Sequence, residues 1–267
     1  MAPTIGFWGP VTASVDWCED NYVKSYYIAE FYNTISSLVI FLVGEYGVRK
    51  AKSDRLAINL MFRAISLVGI GSVLFHCTLK QPMQMFDEIP MLWSAITILY
   101  TLSNSRYKLD QLWFKAALIG VGLLSTFLTA FFRGSTQFLL FHISFGSLEI
   151  SGFILLYLAK ADLHSKFASK CDNISKNLFS NGLKWYGLAV ICWLIDTFFC
   201  EYINAGPQSI IPIYFQLHAF WHIFVSFGLV NFVVLVVVYC KVNSGESVRL
   251  KLGLLGLPEI SNSKRYE

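Results

Sequence analysis

The sequence predicts an all-α polytopic membrane protein: a seven-transmembrane helix bundle with its N-terminus lumenal and its C-terminus cytosolic. Three observations predict it. The 267 residues are 55% hydrophobic and 16% aromatic but only 14% charged, where an ordinary soluble domain carries about 25% charge. Seven stretches are mostly apolar over the roughly 20 residues a helix needs to cross a hydrocarbon core. The lysines and arginines are spread unevenly among the loops between them, and such residues stay on the cytoplasmic side. This composition disfavours a soluble enzyme, a disordered chain and a disulfide-rich secreted module. The net charge of +4 comes without Lys/Arg blocks interleaved with aromatics, so no nucleic-acid partner is expected.

In chain order, residues 1–27 form a polar and aromatic lumenal segment without the apolar run of a cleavable signal peptide. Span 1 (28–48) then serves as the targeting signal. Span 2 (57–79) carries Arg63 near its start, where a long side chain can snorkel, and His76 near its end. Span 3 (85–103) is polar at its head, with Asp87 and Glu88. Spans 4 (112–132) and 5 (136–159) follow. Span 6 (183–203) carries Asp196, and span 7 (214–240) opens on Gln216-Leu-His218-Ala-Phe-Trp-His222. The 28–240 bundle leaves 241–267 as a cytosolic tail. Seventeen of the 21 basic residues fall around the loops after spans 1, 3 and 5 and in the tail, against Lys24, Lys80 and Arg133 on the other side. An odd number of spans also puts the termini on opposite sides, so the two arguments agree.

Of the six cysteines, Cys18, Cys77 and Cys200 fall at the lumenal ends, where a disulfide can persist. A Cys18–Cys200 bridge and six buried free thiols both fit the sequence. The sequon Asn173-Ile-Ser175 falls in a cytosolic loop and should be unused. The Lys264-Arg265 end reads as a basic tail.

Three of the five histidines meet at one depth. His218 and His222 are four residues apart, hence on one helical face, as two helix histidines that share a zinc are. His76 ends an outward-running span, and span 7 starts on that same side. Metal-ligating groups inside a bilayer are costly and mark function; the alternative is three hydrogen-bonded interfacial histidines. His142 and His164 have no such partners and read as structural. Ser72 lies four residues before His76, on its face, and Asp87 follows a short lumenal loop. Three histidines with an open fourth position make a catalytic zinc. A carboxylate beside it can take a water's proton, and a hydroxyl can stabilise an oxyanion. Ser72, His76, Asp87, His218 and His222 thus suggest metal-assisted hydrolysis of a lipid in the outer part of the bilayer, with Glu88 the rival base. The run Asp16-Trp17-Cys18-Glu19-Asp20-Asn21, with Glu30 after it, offers hard oxygen ligands suited to calcium; a solvated acidic loop capping span 1 is the alternative.

These residues resemble the alkaline ceramidases over nearly the whole chain. The likeness rests on Phe7-Trp8-Gly9-Pro10, Asp16-Trp17-Cys18-Glu19, Ile28-Ala29-Glu30-Phe31, Phe75-His76-Cys77-Thr78-Leu79-Lys80, Met85-Phe86-Asp87-Glu88-Ile89-Pro90, Phe198-Phe199-Cys200-Glu201 and the His218/His222 motif. The resemblance implies an intramembrane amidase of the endoplasmic reticulum and Golgi that hydrolyses ceramide, phytoceramide or dihydroceramide to a free fatty acid and a sphingoid base. It implies zinc on His76, His218 and His222, with Asp87 the proton acceptor and Ser72 the oxyanion stabiliser. It implies calcium on Asp16, the Trp17 carbonyl, Glu19, Asn21 and Glu30, and a disulfide between Cys18 and Cys200. The rival readings are a receptor like the adiponectin receptors and a divalent-metal transporter. The acidic N-terminal stretch and the outward N-terminus argue against the first, and the clustering of ligands at one end argues against the second.

Overall fold

The apolar stretches fold as long helices, which answer every backbone polar group within one segment where hydrocarbon offers no water. The computed structural model describes residues 5–50, 56–166, 172–206, 208–246, 248–253 and 257–262. Lys52, Arg55, Lys170, Cys171, Lys264 and Arg265 lie outside them, as does the side chain of the sequon's Asn173. The body consists of α1 (Phe31–Lys50), α2 (Leu56–Thr78), α3 (Gln81–Tyr107), α4 (Leu112–Phe131), α5 (Gly134–Lys166), α6 (Asp172–Phe198), the single turn α7 (Cys200–Ile203) and α8 (Leu217–Val242). Six of these, all but α3 and α7, are long and apolar enough to cross a membrane. The protein is a polytopic, helical membrane protein.

The third expected span is the exception. At 27 residues α3 is long enough, but Gln81, Gln84, Asp87 and Glu88 make its first turns polar, and Ser103 to Arg106 do the same to its end. These polar groups are tolerated because α3 packs against α2, α4, α5 and α8 rather than standing alone. The central helix is α8, whose residues from Val230 to Val242 are all buried. It packs on α6 and α1 and touches α2, α3 and α5, whereas α4 lies at the edge, against α3 and α5.

Close approach of α2 and α3 depends on Gly71. A Cβ there would fall 2.0 Å from the Phe86 carbonyl oxygen and 2.7 Å from the Asp87 nitrogen. Pro90, four residues after Phe86, has no N–H to claim that carbonyl, which faces α2 instead. The contact sets Ser72 beside Asp87.

The N-terminal segment caps the end of α2. Its N–H groups reach carbonyls that a helix leaves unanswered in its last turn: Glu30 to His76 (3.0 Å), Ala29 to Cys77 (2.9 Å), and Thr12 and Ala13 to Leu79 (3.1 Å each). Tyr22, Ala29, Phe75 and Leu79 form a small core beneath it. The sulfurs of Cys18 and Cys200 lie at bonding distance with Cα atoms 5.5 Å apart, so the segment also meets the end of α6. Cys77, Cys192 and Cys240 form no disulfide among the described residues.

Within the expected tail the described residues add a β element to the all-α expectation. Strands β1 (Val248–Leu252) and β2 (Pro258–Asn262) pair antiparallel, Leu250 opposite Ile260. Tyr46 donates to Glu259 (3.0 Å) and Lys50 pairs with it (3.2 Å), so the hairpin closes the end of the bundle away from His76. At that end Arg106 and Tyr239 both bond Asp162, tying α3, α5 and α8. Arg63 is exposed and pairs with Glu45 of α1 at 2.9 Å.

Candidate active site

His76, His218 and His222 come together although 146 residues separate the first from the last. All three are buried, and they offer ligand atoms within 4.8 Å of one another. Each is held by a different device. The carboxylate of Glu30 accepts from His76 Nδ1 at 2.5 Å, which leaves Nε2 toward the other rings. His222 Nδ1 meets Ser36 Oγ at 2.8 Å and Ser37 Oγ at 3.4 Å. Metal-binding histidines commonly give their second nitrogen to such a partner, which fixes tautomer and orientation. His218 is set by its backbone: its N–H donates to Asp196 Oδ1 at 3.2 Å, and the Trp17 indole stacks on its ring at 3.8 Å. Its Nδ1 is buried with no partner among the described residues. An unanswered buried nitrogen is costly, and a cation between the three rings would answer it. The donor set therefore fits zinc, which takes three histidines and keeps a fourth position open.

Asp196 joins three elements. It accepts from Cys18 N (3.3 Å), from His218 N and from the Tyr214 hydroxyl. It thus answers the free N–H at the start of α8 in place of a local cap and locks that start to the N-terminal segment.

The two carboxylates at the head of α3 differ in their surroundings. Glu88 accepts from Gln84 Nε2 at 2.8 Å and from Gln137 Nε2 of α5, so amides hold both its oxygens. Asp87 meets the Ser72 hydroxyl, has the Glu88 carboxyl beside it, and is held by no amide donor among the described residues. Both acids, with Ser72 and the three histidines, line one cavity. Asp87 is therefore the carboxylate free to exchange a proton. Ser72 Oγ lies 3.0 Å from Ser37 Oγ.

The acidic N-terminal residues divide their work. Glu19 accepts from the Tyr32 and Asn33 N–H groups (2.8 and 2.9 Å) and so caps α1. Burial pushes its carboxyl up to about 7, against the pull of those donors. Asn21 donates to Asp16 at 2.9 Å, while burial raises the Asp16 carboxyl. The Asn21 Oδ1 atom is buried and has no partner among the described residues. Glu30, besides holding His76, accepts from Trp17 N (3.0 Å) and Asn33 Nδ2 (3.1 Å). It sits between the acidic segment and the histidines.

The cavity below the histidines measures about 410 Å³ and is mainly apolar. On α8 it is lined from His222 down to Val236, fourteen residues or about 21 Å of helix. Its walls include Phe145, Phe153, Trp193, Trp221 and Phe232, which suits a hydrocarbon chain. His142 faces it too, its Nδ1 bonded to the Phe138 carbonyl at 2.7 Å and its ring against Trp193.

Asn33, Ser36, Ser37, Asp196, Gln84 and Gln137 were not legible as site residues. One signal existed: Asn33, Thr34, Ser36 and Ser37 crowd into just over one turn of an otherwise apolar span, which is rare without an interhelical partner.

Fold and site together define a class, a membrane-embedded enzyme with a polar centre at the head of an apolar chamber. Comparison with known proteins makes it specific. Residues 9–254 match the ceramidase family, and the chain belongs to that family. Alkaline ceramidase of Arabidopsis thaliana is 34% identical over 83% of this chain and 82% of its own length. Alkaline ceramidase 3 of Mus musculus is 30% identical over 85% of each. Alkaline ceramidase YPC1 of Saccharomyces cerevisiae is 28% identical over 86% of this chain and 77% of its own.

Proposed function

We propose that the protein is a zinc-dependent amidase that hydrolyses the N-acyl bond of ceramide within the bilayer, releasing a free fatty acid and a sphingoid base. The observation that carries this reading is the buried histidine triad, with Asp87 and Ser72 beside it, at the head of a chain-shaped apolar cavity. Zinc held by His76, His218 and His222 would supply a Lewis acid for the amide carbonyl and lower the pKa of a water beside it. Asp87 accepts the proton of the attacking water as its oxygen bonds to the amide carbon. Ser72 donates a hydrogen bond to the carbonyl oxygen as that oxygen gains charge. Asp87 then returns the proton to the amide nitrogen, the C–N bond breaks, and the free amine leaves. Glu30, Ser36 and Asp196 keep the three rings in place, and the aromatic walls exclude bulk water.

In the same reading α3 is a seventh span, the N-terminus is lumenal, and the enzyme resides in the endoplasmic reticulum and Golgi membrane. A Cys18–Cys200 disulfide clamps the N-terminal segment. Calcium binds Asp16, the Trp17 carbonyl, Glu19, Asn21 and Glu30. The raised Glu19 and Asp16 carboxyls and the unanswered Asn21 oxygen support a cation there. Calcium would steady Glu30 and Trp17, hence His76 and His218, without taking part in the chemistry.

The test is zinc per chain and fatty-acid release from ceramide, in detergent, for the parent and for His218→Ala. Near-stoichiometric zinc and release that both collapse in the variant are expected. Zinc retained with no release from any ceramide would refute the amidase reading.

A further inference from the structure

The cavity wall carries one polar pair that the amide chemistry does not use. Glu149 of α5 and Tyr186 of α6 both line it, and the Tyr186 hydroxyl donates to Glu149 Oε1. Glu149 Oε2 has no hydrogen-bond partner among the described residues. The surroundings are apolar: the rings of Phe153, Phe232 and Trp221 lie 5.1, 6.0 and 6.2 Å from that of Tyr186. An ionisable group at such a place in a membrane protein is costly and seldom idle. Ser94 and His142, also on this wall, are answered by carbonyls of their own helices.

Two observations show that the pair faces open space. Gly146 and Gly152 stand three residues before and after Glu149, on the same face of α5. Both line the cavity, and a Cβ on either would meet nothing within 4 Å. The wall around the carboxyl is therefore bare. The depth follows from α8. A Cβ on Gly228 would lie 3.0 Å from the Tyr186 nitrogen, and Gly228 comes six residues after His222, about 9 Å along the helix. The pair therefore sits several carbons down a chain whose amide is at the histidines. An amine released from that amide would be too far up the cavity to meet it.

We propose that Glu149 and Tyr186 recognise a hydroxyl group on a hydrocarbon chain of the bound lipid, several carbons from the amide. The proposal deepens the amidase reading and rests on it for the N-acyl lipid. A chain hydroxyl donates to Glu149 Oε2, whereas an unsubstituted chain strips water from that oxygen and returns nothing. Discrimination between the two reflects roughly one net hydrogen bond, about 3- to 10-fold in affinity.

The experiment displaces a fluorescent ceramide from the full chain in detergent, using ceramides that differ only in a hydroxyl at successive chain carbons. The parent is expected to bind at least one hydroxylated member about 3- to 10-fold more tightly than the unsubstituted one. Glu149→Leu should bring that ratio to about one, and Glu149→Gln, which keeps an acceptor, should restore most of it. Should Glu149→Leu fail to fold, Tyr186→Phe, which frees the carboxyl to turn away, should lower the ratio instead. No hydroxyl preference in the parent, or a ratio unchanged in Glu149→Leu and Tyr186→Phe, would overturn the proposal; so would both lipids weakening equally, since that marks a structural tie between α5 and α6. Displacement needs no turnover, so a parent that shows the preference yet releases no fatty acid sinks the amidase reading and leaves this site standing.

Discussion

Replacing Glu30 by glutamine separates two roles open to this carboxylate, holding His76 and binding calcium. Glu30 is fully buried and accepts three N–H groups, from His76, Trp17 and Asn33. A glutamine of the same shape has one acceptor oxygen. Its amide nitrogen must then face at least one of those donors. One buried donor left unanswered costs about 1–3 kcal/mol of stability. Loss of the carboxylate behind a ligating histidine typically lowers metal affinity 10- to 100-fold, or about 1.4–2.8 kcal/mol. The assay is zinc titration against a competing chelator in detergent, with Tm measured on the same samples. A 10- to 100-fold weaker zinc affinity, at saturating calcium, is expected for Glu30→Gln. Parent-like zinc affinity together with lost calcium response would show that Glu30 serves calcium alone, and that its contact with His76 does not tune the centre.

Asp87→Asn should keep zinc and lose roughly 10²- to 10⁴-fold in turnover, while Glu88→Gln, whose oxygens are already held by Gln84 and Gln137, should lose far less. An Asp87→Asn enzyme as fast as the parent would hand the base role to Glu88. Removing calcium with a selective chelator should lower turnover and leave zinc per chain unchanged; full activity without calcium would end the idea that the N-terminal segment needs it. Gly71→Ala should push α3 from α2 at Phe86, cost about 1–3 kcal/mol as overpacking does, and reduce turnover more than zinc content. Parent-like Tm and turnover would show that the close approach is not needed.

Much of the candidate site was legible from spacing and sidedness. His218 and His222 share a face by their four-residue separation, and Ser72 shares one with His76. Simple alternation of helix direction brings His76 to their end of the bundle. The acids of the N-terminal segment were legible as a group but not as individuals. Glu30 read as a calcium ligand, yet the fold turns it onto His76, and Glu19 spends both oxygens on the start of α1. The resemblance favoured Asp87 over Glu88 as the base; what the sequence alone did not show is that Gln137 arrives from another helix to hold Glu88.

The sequence by itself determined the class of fold, the rough placement of six of the apolar spans and the residue types of the centre. These are local properties: a run of apolar side chains partitions into hydrocarbon whatever its neighbours are, and helical periodicity then sets which residues share a face. The tertiary structure alone decided that α3 is sheltered enough to be polar, that the tail forms a hairpin against α1, and that Asp196 anchors both Cys18 and His218. It also placed Glu149 and Tyr186 across one cavity. Such pairings depend on how far each helix is rotated and slid along its neighbour, which packing contacts such as Gly71 against Phe86 set. No pattern within a single helix carries that information.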